Sequence, residues 1–133
     1  MIIDARTLPS DTILESDICI VGACTAGITL ALQFIGAGFK VCQIESGGLA
    51  PDRDLQALAD GDSIGMRYSS LASCQLRCFG GNSNVWGGWF RPLDAIDFEA
   101  RAWVADSGWP FGPAELERYS RSAHRLCEVA DDD

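Results

Sequence analysis

What this chain has least of narrows its chemistry first. It carries one histidine, His124, and no carboxylate pair, Ser/His/Asp set or His-Glu-x-x-His motif, so no catalytic residue and no zinc-protease arrangement is legible in it. Ten Lys and Arg face nineteen Asp and Glu, a net charge of −9. No basic stripe with interleaved aromatics offsets that balance, which argues against a nucleic-acid partner. No apolar run approaches the roughly 20 residues of a membrane span, and no basic segment precedes an apolar one as in a signal peptide. The expectation is therefore a cytoplasmic chain without a membrane span. Internal repeats and low-complexity tracts are lacking as well.

Cysteine is not scarce, but its spacing is uninformative. Of the six, Cys19 and Cys42 fall in segments expected to be buried strands, where a free thiol behaves as a small hydrophobe. Cys24 lies in a turn, and Cys127 stands alone on a terminal helical pattern. Cys74 and Cys78 do not match a Cys-x₂-Cys half-site, and no second half-site or partner histidine follows. No metal site is expected, and no disulfide framework in a reducing compartment.

Against these absences stands the stretch from Asp17 to Glu45, DICIVGACTAGITLALQFIGAGFKVCQIE. Ile18-Cys19-Ile20-Val21 is a short, mostly β-branched apolar run of the kind that forms a buried parallel strand. Gly22, Cys24 and Gly27 occupy the positions of a G-x-G-x-x-G turn. Leu30, Ala31, Phe34 and Ile35 then recur at helical spacing, and Gly36 and Gly38 close the helix. Val41-Cys42-Gln43-Ile44 is a second strand, ended by Glu45. This order of parts is that of a Rossmann-type βαβ unit, which holds the ADP half of a dinucleotide. The strands are expected at roughly 16–22 and 40–45. Gly22, Ala23, Cys24, Thr25, Ala26 and Gly27 would line the pyrophosphate at the positive end of the helix. Glu45, followed by Ser46, would accept the ribose hydroxyls, which favours FAD or NAD over NADP. Cys24 replaces the middle glycine, and its side chain is expected to crowd the pyrophosphate or displace the turn. A glycine-rich turn that merely joins core elements would share part of this pattern.

A second glycine-rich segment runs Arg77-Cys78-Phe79-Gly80-Gly81-Asn82-Ser83-Asn84-Val85-Trp86-Gly87-Gly88-Trp89. Glycine pairs flank a polar Asn-Ser-Asn core, so unusual backbone angles and hydrogen-bonding groups coincide. Arg91-Pro92-Leu93-Asp94-Ala95-Ile96-Asp97-Phe98 and Ser107-Gly108-Trp109-Pro110-Phe111 follow. Together the two motifs resemble the glucose–methanol–choline (GMC) oxidoreductases, from about Asp17 to the end of the chain. The resemblance implies FAD as cofactor and oxidation of a CH–OH group of an alcohol, sugar or polyol, hydride passing to the flavin N5. It places Gly80, Gly81, Asn82, Ser83 and Asn84 along the flavin ring. Asn82 stands where Thr or Ser is usual. Some relatives tether FAD through a histidine in this segment, and Val85 at the matching position implies non-covalent FAD. The family's catalytic base comes from a C-terminal part, and His124 is expected to pack or face solvent. Some members are exported with a signal-bearing partner.

The expected fold class is thus α/β: an incomplete Rossmann-type FAD/NAD(P)-binding fold, a βαβ unit plus a flavin-contacting loop and a C-terminal helix. At 133 residues the chain is short for that family. Residues 1–133 are expected to form the N-terminal portion of an FAD-binding domain, a gene fragment whose substrate domain and catalytic part lie elsewhere. A short helix is expected at Asp54–Ala59. Leu116, Tyr119, Ala123 and Leu126 mark one face of a last helix, with Pro113 in its first turn. Two other readings stay open. One is a non-catalytic dinucleotide-binding subunit that needs a partner chain. The other is a nucleotide enzyme of another kind, such as an NAD-dependent dehydrogenase, which leaves the second glycine segment without a role.

Overall fold

A computed structural model describes residues 1–129; the terminal acidic residues Asp131–Asp133 lie outside them. The chain divides into two compact units, Met1–Trp86 and Gly87–Asp133.

The first unit is built on two parallel strands, β1 (Ile18–Val21) and β2 (Val41–Ile44), with helix α1 (Thr25–Gln33) between them in sequence. Ile18 pairs with Val41 and Val21 with Ile44. The strands start where Asp17 closes the sheet end: its backbone N–H donates to the Lys40 carbonyl at 2.9 Å, and its carboxylate accepts from the Lys40 N–H at 2.8 Å. Helix α1 ends at Gln33 because Phe34 leaves the ladder and Gly36 then takes φ +77°. Helix α2 (Arg53–Ala57) begins one residue before the expected Asp54, since the Asp52 carboxylate caps it by accepting from the Asp54 and Leu55 N–H groups, both at 3.0 Å. A single turn, α3 (Leu71–Cys74), precedes the second glycine segment, which closes in a 3₁₀ turn at Gly81–Asn84.

The expectation that Cys19 and Cys42 are buried does not hold. Cys19 is exposed and Cys42 half-buried. Two strands and one helix leave sheet surface uncovered: Val21 is 84% and Ile44 52% exposed. Among the described residues the buried apolar side chains are Ile20, Ala23 and Cys78. The core thus sits where the end of β1 meets the second glycine segment. The solvent-accessible surface is 11277 Å². A compact protein of this mass exposes roughly 6,800 Å², and two separately compact bodies of these sizes roughly 8,000 Å².

The second unit holds a 3₁₀ turn (Ala95–Phe98) and α4 (Pro113–Leu126), with Pro113 at the first helical turn. The Ser107 hydroxyl ties the intervening loop by accepting from the Arg101 N–H at 2.7 Å and donating to the Val104 carbonyl at 2.7 Å. The α4 face carrying Leu116, Tyr119 and Ala123 lines an apolar cleft of about 440 Å³ with Phe90, Leu93 and Phe98.

Candidate functional site

The two glycine-rich segments, far apart in sequence, meet backbone to backbone. The Gly80 N–H donates to the Ala23 carbonyl at 2.7 Å, and Cys24 and Gly80 form an isolated parallel bridge. One residue earlier, the Phe79 N–H donates to the Gly48 carbonyl at 2.9 Å. The residues expected to hold a dinucleotide, Gly22 to Gly27, Glu45, Ser46 and Gly80 to Asn84, therefore lie in one neighbourhood of the first unit.

Close approach makes this junction possible. A Cβ on Gly27 would fall onto the Gly22 carbonyl oxygen, so only glycine lets α1 start this near the end of β1. Likewise a Cβ on Gly47 would collide with the Arg77 carbonyl, where the chain after β2 passes the second segment. Gln43, on β2, reinforces the first contact by donating to the Gly22 carbonyl at 3.0 Å.

Glu45 works inside this junction. Its carboxylate accepts from the Ala23 N–H at 2.8 Å and the Gly47 N–H at 2.8 Å, with the Ser46 hydroxyl at 3.3 Å. Burial pushes the Glu45 carboxyl up, but the Ala23 and Gly47 amides outweigh it and hold the group below the usual carboxylate range. A carboxylate offers about four lone-pair sites, so acceptor capacity remains for hydroxyl donors.

Cys24 is the N-cap of α1, in an extended conformation at φ −84° and ψ −176°. Its side chain is exposed. The Gly27 and Ala26 amides at the helix start pull its thiol below the ordinary thiol range, while desolvation and the nearby Glu45 charge oppose them. A sulfur thus stands at the positive end of α1, the position at which the sequence leads one to expect a pyrophosphate.

The polar residues of the second segment turn inward. Asn82 accepts from the Leu76 N–H at 2.7 Å and donates to the Cys74 carbonyl at 2.8 Å. Ser83 donates to the Gly80 carbonyl at 2.6 Å, and Asn84 to the Phe79 and Gly81 carbonyls at 2.9 and 3.0 Å. These side chains shape the loop's backbone. Comparison with protein-family models, curated proteins and solved structures finds no match to the chain.

Three residues to which the sequence assigned no role in the site help to assemble it: Gln43, Gln56 and Arg77. Gln56, on α2, donates to the Ala72 carbonyl at 2.8 Å and accepts from the Arg77 N–H at 3.0 Å, pinning the entry to the second segment. A glutamine in a short polar helix gives no sequence signal for such a role. In the second unit His124 packs edge-on against Phe90, with ring centroids 4.8 Å apart, and lines the cleft there. Among the described residues no group of His, Cys, Asp and Glu is placed to hold a metal ion, and no helix is long and apolar enough to cross a membrane.

Proposed function

We propose that the chain is the FAD-binding portion of a flavin-dependent oxidoreductase of the GMC type, acting on the CH–OH group of an alcohol, sugar or polyol. The observation that supports this most is the backbone pairing of Gly80 with Ala23 and Cys24. It puts the segment proposed to run along a flavin directly against the turn proposed to hold its ADP half.

The residues present fit such a ligand in two respects. The close Gly22–Gly27 approach leaves the start of α1 without a side chain at position 27. The Glu45 carboxylate, charged and fixed by two amides, keeps acceptor capacity for ribose hydroxyls. Bound FAD would supply the hydride acceptor. The chain's own part is to orient it: Ala26 and Gly27 at the helix start toward phosphate oxygens, Glu45 toward the ribose, and the Gly80–Asn84 backbone toward the ring. Cys24 must yield its place at the helix start, which weakens the binding. The FAD is non-covalent, and no residue of this chain is assigned as catalytic base.

Titration of the purified chain with FAD, NAD and NADP, read by quenching of flavin fluorescence and by retention on a filter, tests this reading. FAD should be retained in preference to both nicotinamide dinucleotides. Retention of NAD without FAD would favour a dehydrogenase instead.

The exposure of Val21 and Ile44 on the sheet supports a second reading, a dinucleotide-binding subunit completed by a partner chain. In that case FAD retention should appear only on mixing with the partner.

A further inference from the structure

The junction of the two glycine segments also holds a cation that neither motif singles out. The Arg77 Nη2 donates to the Ser46 Oγ at 2.9 Å, and the Ser46 hydroxyl in turn lies 3.3 Å from the Glu45 carboxylate. The Arg77 backbone is clamped on both sides, by the Gln56 side chain and by the close packing of its carbonyl on Gly47. Its guanidinium is therefore aimed by its surroundings, at the end of β2 and beside the acid that touches the first glycine turn.

That guanidinium is short of acceptors. Arg77 Nε is buried with no hydrogen-bond partner. Arg6, Arg91 and Arg118 each pair with a carboxylate at 2.7, 2.6 and 3.4 Å, whereas among the described residues Arg77 has only the neutral Ser46 hydroxyl. Arg101 shares the orphaned Nε, but it has no side-chain acceptor among the described residues and belongs to neither glycine segment. A half-desolvated guanidinium with one neutral acceptor is poorly compensated. The buried Nε lies beyond a ligand's reach, but an oxyanion beside Ser46 meets the Nη groups, and the planar fork suits the oxygens of a phosphate.

We propose that Arg77, together with Ser46, contacts a phosphate group of the ligand held at the two glycine segments. The inference rests on the dinucleotide reading above and adds to it a residue that discriminates phosphorylated ligands. Two phosphates offer the same chemistry there: the pyrophosphate of an ADP moiety, or a phosphate on the adenosine ribose.

Titration calorimetry of the full chain with adenosine, ADP and adenosine 2′,5′-bisphosphate separates them. The unmodified chain should bind at least one phosphorylated ligand more tightly than adenosine. Preference for ADP identifies the pyrophosphate as the partner, and preference for the bisphosphate identifies the ribose phosphate. Arg77→Gln should reduce that preference about tenfold while leaving adenosine affinity unchanged, and Arg77→Lys should restore part of it. Unchanged affinity for ADP and the bisphosphate in a folded Arg77→Gln chain overturns the proposal. Should circular dichroism show that Arg77→Gln unfolds, Arg77→Lys decides. Selective weakening of the phosphorylated ligands supports the contact, and equal weakening of all three overturns it. If the unmodified chain binds all three ligands equally, the Arg77 proposal fails and the dinucleotide reading stands. If it binds none of the three, both fail.

Discussion

Glu45 ties the first glycine turn to the chain that follows β2, because the Ala23 and Gly47 backbone amides both end on its carboxylate. Glu45→Gln keeps one acceptor oxygen and loses the charge, at a cost of about 1–2 kcal/mol of unfolding free energy for a half-buried, charge-assisted pair. The pH dependence has a definite sign. The folded-state carboxyl sits below its unfolded value, so its contribution is complete above the ordinary Glu range. It is lost as the pH falls through the lowered folded value. Urea midpoints between pH 3 and 6 should therefore fall less steeply with acid in Glu45→Gln than in the unmodified chain; parallel curves would dismiss the assignment. Cys24 is the complementary case. With its thiol lowered by the Gly27 and Ala26 amides, its alkylation by iodoacetamide should reach half-maximal rate below the ordinary free-cysteine range, measured by peptide mass spectrometry. Under the FAD proposal, Cys24→Gly should hold or tighten FAD binding, because a glycine N-cap costs only a few tenths of a kcal/mol and clears the helix end. Weaker FAD binding in that variant would show that the thiol aids the ligand rather than crowding it.

At the level of elements, the β1–α1–β2 order and the α4 helix were legible from apolar periodicity and turn residues. The strand and helix types followed from β-branched runs and from 3.6-residue spacing over segments long enough to show it. Burial was not legible, because it depends on how many strands share the sheet, and Cys19 and Val21 are exposed for want of neighbours. In the site, the glycines were readable because close approach and positive φ demand them. The inward turn of Asn82 and Asn84 was not, since a side-chain amide can serve a ligand or its own loop with the same residue type. The roles of Gln56 and Arg77 depend on a long-range meeting of segments and leave no local pattern. Two substitutions test these elements. Gly27→Val sets side-chain atoms against the Gly22 carbonyl and should force α1 away from β1, destabilising the unit by roughly 2–4 kcal/mol and abolishing FAD retention. Retained FAD in that variant would remove the turn from the site. Asn82→Ala leaves the Leu76 N–H and the Cys74 carbonyl without their partner and should cost about 1–3 kcal/mol. Amides around Leu76 should then exchange with deuterium faster while those of β1 change little.

For the whole molecule, the surface area bears directly on how the chain unfolds. A fully unfolded chain of this mass exposes roughly 20,700 Å², so folding to 11277 Å² removes only about two-thirds of the area that a compact protein of equal size would bury. Denaturant sensitivity scales with that area. The urea m-value should accordingly be about two-thirds of that for a compact protein of this length, with the transition broad in proportion. Backbone ordering costs about 1–2 kcal/mol per residue however little is buried, which leaves a chain with three buried apolar residues among those described little margin. A ligand that joins the two glycine segments would act on this margin directly, because it binds the folded junction and not the unfolded chain. Saturation at 100 times Kd adds about 2.7 kcal/mol. FAD should therefore raise the urea midpoint of the unmodified chain and leave that of Gly27→Val unmoved. An m-value equal to that of a compact protein would mean that the chain buries the exposed strand residues Val21 and Ile44 in solution. A midpoint that rises with protein concentration would then assign that burial to a second copy of the chain, and a concentration-independent midpoint to rearrangement within one.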